Sequence, residues 1–218
     1  MGSRTNRRIG LFLAAAIVLM CFGLVLFRGY WWRSLADGPV GEYYGEQAVI
    51  DNYGAAFKQL GKEFDIAPEY LAALCMLESG GRKPAGSRYE KHVYARLKLV
   101  QMGFKQKYEH VTSASLKDAG DEALQNLATS WGPFQLMGYK CLLYDINVRD
   151  LREEDGTYWG VKWIHEAYGK FLKEGDYKNA FHFHNTGKRF PANGISKTHD
   201  PGYVNKGLEL MACFKDKL

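Results

Sequence analysis

The sequence predicts a mainly α protein: one globular domain preceded by a single N-terminal transmembrane helix. Three observations lead there. Residues 9–27 form an uncharged, largely apolar run, the remainder carries apolar residues at helical spacing in successive stretches, and no internal repeat or low-complexity tract divides it. Residues 48–218 suffice to bury one sizeable hydrophobic core.

The apolar run from Ile9 to Phe27 is long enough, at ~1.5 Å per helical residue, to cross a bilayer core of ~30 Å. Tyr30, Trp31 and Trp32 follow it as an interfacial belt, so residues 1–33 read as tip, span and belt. Arg4, Arg7 and Arg8, with the amino terminus, outweigh Arg28 and Arg33 beyond the run, which predicts a cytoplasmic N-terminus and an extracytoplasmic domain. The competing reading is a cleaved signal peptide with Ser34-Leu35-Ala36 as the cleavage site.

Residues 34–47 contain Gly38, Pro39, Gly41 and Gly45, a linker composition. Helices are predicted near residues 47–63, 66–79, 90–102, 120–128, 133–143, 157–173, 176–184 and 201–215. For the second of these, Asp65 is a candidate cap, Pro68 falls where a first turn tolerates it, and Leu71, Leu74, Cys75 and Glu78 recur at i, i+3, i+4 and i+7. Gly80, Gly81, Pro84 and Gly86 then break the helix and predict a small hairpin or a loop over a cleft before Arg88.

The formal charge of +5 does not signal a nucleic-acid partner. Five of the 29 basic residues lie in the first 33 positions, where no acid occurs, leaving 24 bases against the 24 acids in the folded part. A balanced domain lacks the electrostatic footprint that phosphate binding requires. Cys75, Cys141 and Cys213 are too few and too irregular for a disulfide framework or a zinc knuckle, allow one disulfide at most, and read as small buried side chains.

Glu78 is the residue with chemistry to offer. It shares the apolar stripe of its helix, and at a helix C-terminus it meets the negative end of the macrodipole, so burial and dipole both favour the protonated acid. Glycoside cleavage needs such a carboxylic acid beside the leaving oxygen. The plainer reading is a half-exposed residue at a helix end.

Three further segments follow in order: Arg88-Tyr89-Glu90-Lys91-His92, then Thr129-Ser130-Trp131-Gly132-Pro133-Phe134-Gln135-Leu136-Met137-Gly138, then Phe183-His184-Asn185-Thr186-Gly187. With Glu78-Ser79-Gly80-Gly81, their order and content resemble the lysozyme-like superfamily over residues 66–211. The closest resemblance is to the N-acetylmuramidase domain of phage-type endolysins, with a looser similarity to bacterial lytic transglycosylases. This resemblance implies an α+β lysozyme-like fold, a bacterial cell-envelope location in the periplasm and peptidoglycan glycan strands as substrate, with no cofactor and no metal. It implies Glu78 as general acid on the bond between N-acetylmuramic acid and N-acetylglucosamine. Glu90 is then either a second catalytic carboxylate or an ion-pair partner of Arg88, Lys91 or Arg96. Ser130, Gln135, His184, Asn185 and Tyr203 are implied cleft residues, while Trp131 and Phe134 read as core aromatics. His184 departs from the transglycosylase pattern, which places a tyrosine there, and Tyr203 is either a packing aromatic or the source of the missing hydroxyl.

Two other classes fit parts of the sequence. His182 and His184, with His199 and Asp200, invite a zinc hydrolase, although an alternating pair needs an extended backbone in a stretch that reads as helix. A lysozyme-like module that holds peptidoglycan for an envelope-spanning assembly without cutting it is the other alternative, motivated by His184.

Overall fold

A helix without a polar face organises the fold. In Pro68–Ser79 every side chain from Tyr70 to Cys75 is fully buried. Such a helix is stable only where neighbours surround it. The computed structural model describes residues 43–153 and 155–218, and the predicted span at 9–27 lies outside them. No helix among the described residues is long and apolar enough to cross a membrane.

In chain order, α1 (Glu46–Val49), a π-helical turn (Ile50–Gly54) and α2 (Ala55–Phe64) form one helical run, and α3 is the central helix Pro68–Ser79. Strand β1 (Arg88–Tyr89) and α4 (Lys91–Gln101) follow, then a hairpin of β2 (Lys107–Tyr108) and β3 (Val111–Thr112). Next come α5 (Asp121–Leu127), β4 (Thr129–Trp131), β5 (Leu136–Met137), a 3-10 helix (Gly138–Leu143) and α6 (Val148–Arg152). The chain closes with α7 (Gly156–Lys173), α8 (Tyr177–Thr186) and α9 (Tyr203–Phe214). The described residues are thus mainly helical, with β1, β4 and β5 forming a small antiparallel sheet in the order β1-β4-β5.

Two hydrophobic clusters fill the molecule. The first gathers α2, α7, α8 and α9 around α3, through side chains such as Phe57, Ile164, Phe181 and Phe214. The second lies under the sheet and joins Val93 and Leu97 of α4, Leu124 of α5, Tyr139 and Leu151. Phe134, from the β4–β5 turn, reaches across into the first cluster, where its ring sits 5.6 Å from that of Phe57. Gly160 makes room for it, since a Cβ there would lie 2.5 Å from the Phe134 ring.

Several elements differ from expectation for local reasons. The helix predicted at 133–143 is the second half of a β-hairpin followed by a 3-10 helix, because Gly132 (φ 72°) and Gln135 (φ 49°) both take the left-handed conformation and turn the chain. Asp65 caps no helix start. It closes α2 in the left-handed conformation, and α3 begins after Ala67, with Pro68 in its first turn as predicted. The β2–β3 hairpin and α6 have no counterpart among the predicted elements. All three described cysteines are free, and Cys213 is exposed rather than buried. Trp131 is half-buried against the second cluster, its indole N–H donating to the Asn126 carbonyl at 3.0 Å.

Candidate active site

The end of α3 delivers Glu78 to a cleft. Gly80 (φ 64°) terminates the helix and returns its N–H to the Met76 carbonyl, while Gly81 passes so close to Val49 that a Cβ would lie 2.6 Å from its backbone nitrogen. Ser79 turns inward and donates to the Cys75 carbonyl at 3.0 Å, while Met76, Leu77 and Glu78 of the same turn line the cleft.

The cleft has a volume of about 870 Å³ and is bounded by the end of α3, strand β1, the β4–β5 hairpin, α8 and α9. All seven site residues expected from the sequence line it: Glu78, Glu90, Ser130, Gln135, His184, Asn185 and Tyr203. A second recess of about 660 Å³ adjoins the first, sharing Gln135, Met137, His184 and Asn185 with it.

Tyr203, the first residue of α9, donates its hydroxyl hydrogen bond to Oε1 of Glu78. Its ring is buried. Burial first, then the charge and hydrogen bond of Glu78, push its phenol well above the ordinary value and keep it a neutral donor. Because Oε1 is an acceptor here, an acid proton on Glu78 belongs on Oε2.

His184 does not bond to the acid. Its Nε2 lies 3.9 Å from Oε1 of Glu78 but 3.1 Å from the Phe134 carbonyl. A carbonyl only accepts, so Nε2 carries the proton, and Nδ1 accepts from the Tyr168 hydroxyl at 2.8 Å. Burial lowers the affinity of the imidazole for a second proton and outweighs the opposing pull of Glu78 and of the Phe134 carbonyl. The ring is neutral and pins the β4–β5 turn to α8.

Ser130 and Gln135 face each other across that hairpin, the Ser130 hydroxyl donating to Oε1 of Gln135 at 2.7 Å and the Gln135 amide donating to the Gly132 carbonyl at 3.1 Å. Strand pairing of Arg88 with Ser130 brings the opposite wall into register. There Glu90 is held by Arg88 at 2.9 Å and by His92 at 3.3 Å, so of the ion-pair partners expected from sequence Arg88 is the one observed. Asn185 is an exposed wall residue.

His182 is not a partner for His184. It is fully buried, its Nδ1 donating to the Lys188 carbonyl at 2.8 Å and its Nε2 accepting from the Lys197 N–H at 3.2 Å. Both histidines therefore spend both ring nitrogens on the protein, and Asp200 pairs with Lys206 at 2.7 Å. Among the described residues no group of three His, Cys, Asp or Glu side chains is arranged to hold a metal ion.

Sequence reasoning did not find Tyr168 and Tyr70. Tyr168 sits at a break inside α7 (φ −152°, ψ 18°) and accepts from the Tyr70 hydroxyl at 3.2 Å. Nothing in a single tyrosine within a helical pattern signals such a contact. No protein-family model, no curated protein and no solved structure matches the chain.

Proposed function

We propose that the chain is a peptidoglycan glycosidase with a lysozyme-like fold, in which Glu78 is the general acid on the β-1,4 bond between N-acetylmuramic acid and N-acetylglucosamine. One observation carries the reading: a carboxyl group at a helix end, held on one oxygen by the neutral Tyr203 hydroxyl, with its other oxygen available to carry a proton beside the cleft. Proton donation from Oε2 to the glycosidic oxygen lets the C–O bond break, and the sugar left behind takes up positive charge. Water captures that centre to give a reducing end, or the sugar's own 6-hydroxyl captures it to give an anhydro ring. In both routes the Glu78 carboxylate recovers the proton from the attacking hydroxyl, and neither route calls for a cofactor.

Other features support the same reading. Ser130, Gln135 and Asn185 offer polar contacts to an acetamido sugar along the cleft. The apolar run Ile9–Phe27 suits a single-pass anchor in the bacterial cytoplasmic membrane, and a lead-in shortened to residues 34–44 by helix α1 would reach at most ~40 Å. Cutting would then be confined to membrane-proximal glycan, as local remodelling beside an envelope assembly requires.

The test is release of soluble material from dye-labelled, purified peptidoglycan, with and without a chelator. The proposal expects release that the chelator does not change. No release by folded protein would favour a module that only holds the polymer, and release abolished by chelator and restored by zinc would move the chemistry to a metal.

A further inference from the structure

A histidine 3.9 Å from a working acid is a hazard, because it can take the acid's proton and leave an ion pair in its place. The exchange conserves protons: neutral Glu78 and neutral His184 become carboxylate and imidazolium. In that state Glu78 has nothing to donate. Several features oppose the exchange, and burial of His184, whose side chain is 7 % exposed, is the general one.

The specific one is a directed chain of hydrogen bonds. The Phe134 carbonyl fixes the His184 proton on Nε2, Nδ1 accepts from Tyr168, and the Tyr168 oxygen accepts from Tyr70. A second proton on His184 must go to Nδ1, which the Tyr168 hydrogen already occupies. Admitting it requires the Tyr168 hydroxyl to turn away, which leaves its own hydrogen, or that of Tyr70 if both turn, without an acceptor in a buried site. The groups facing His184 are Glu78 and Tyr70 from α3, Trp163 and Tyr168 from α7, and Tyr203 beside Glu78 from α9. Glu78 is the group with which the ring could exchange a proton, Lys140 and Glu109 line the recess that His184 also borders, and burial holds the three phenols neutral.

We propose that Tyr168 is a positioning residue of the Glu78 site, whose hydroxyl occupies Nδ1 of His184 and so prevents that ring from taking the proton of Glu78. The break in α7 at Tyr168 is then what places this hydroxyl against α8. The inference rests on Glu78 being the acid, but its own readout is independent of turnover.

The experiment is nitrogen NMR of the His184 ring in the full chain at pH 6, beside kcat and KM on soluble glycan oligomers. Wild type is expected to show a neutral ring with the proton on Nε2. Tyr168→Phe removes the advantage of the neutral ring, so the ratio of imidazolium to neutral His184 should rise by roughly three- to tenfold, the worth of about one hydrogen bond, and kcat should fall only in proportion to the neutral fraction lost, with KM within twofold. The loss should be uniform across the pH plateau, because a proton exchanged between two groups leaves their total unchanged. Tyr70→Phe also deletes a buried hydroxyl but leaves Nδ1 occupied, so His184 should stay neutral. Adding Glu78→Gln to Tyr168→Phe should return the ring to the neutral form.

An imidazolium in wild type, a proton on Nδ1, or equal behaviour of the two tyrosine variants would overturn the inference. Should Tyr168→Phe not fold, the wild-type spectrum alone decides. Full activity of Glu78→Gln with these spectra intact would instead remove the reading of Glu78 as the acid.

Discussion

The two walls of the cleft each present a carboxylate, and they treat it in opposite ways. Glu78 comes from the end of the most deeply buried helix and meets neutral donors and acceptors: the Tyr203 hydroxyl on one oxygen and a neutral imidazole nearby. Glu90 comes from a strand-to-helix junction on the second cluster and meets the cationic Arg88, whose side chain is 74 % exposed, with the exposed His92 ring 3.3 Å away. Neutral surroundings leave a carboxyl group without a competing cation, whereas an ion pair ties it to a neighbouring side chain. Two glutamates twelve residues apart therefore carry different expectations, set by their partners and not by their spacing.

The largest expected effect breaks the Glu78 side of this contrast. Glu78→Gln keeps the shape and can still accept from Tyr203, but it cannot donate a proton, so kcat on peptidoglycan should fall by at least about a thousandfold. Thermal denaturation should show an unchanged or raised midpoint, because a partly buried functional acid is a cost to stability. A variant that turns over normally would remove the assignment.

Tyr203→Phe comes next. Loss of the donor on Oε1 should lower kcat by roughly tenfold to a hundredfold with little change in KM, since the bond strengthens as Glu78 becomes a carboxylate. A loss seen in KM alone would make Tyr203 a substrate contact instead.

On the other wall the effect should be smaller. Glu90→Gln keeps side-chain volume and gives up the ion pair with Arg88, so turnover should drop by less than about tenfold. A hundredfold loss, together with products that end in reducing sugars, would make Glu90 the base that activates water and erase the contrast between the walls.

The smallest effect concerns stability against pH. His184 is held neutral by burial, so the unfolded chain binds a proton that the folded protein refuses as the pH falls below the ordinary histidine value of 6.5. Stability should therefore decline from pH 7 towards pH 5. His110, lowered chiefly by burial, contributes in the same direction. His184→Gln should flatten the slope of melting temperature over this window, and an unchanged slope would show that His184 charges freely in the folded protein.

How much of this was legible in the sequence depends on whether local or distant residues decide each feature. Glu78 could be found because helical spacing, Pro68 in the first turn and the Gly80-Gly81 stop are all local signals. The β4–β5 hairpin could not, since residues 133–143 carry a helical pattern and the turn depends on Gln135 accepting a left-handed conformation that Phe134 and Gly160 packing holds in place. Asp65 was misplaced for a similar reason, because the same residue type suits the start of one helix and the end of another. Tyr168 is legible only in three dimensions, where a break in α7 aims its hydroxyl at a histidine sixteen positions away.

The most direct test of the central claim is mass spectrometry of the soluble fragments released from purified peptidoglycan by the wild-type protein and by Glu78→Gln. The account predicts that wild type releases glycan fragments ending in N-acetylmuramic acid, in reducing or anhydro form, and that Glu78→Gln releases none. Fragments cut within the peptide stems, or equal release by the two proteins, would contradict it.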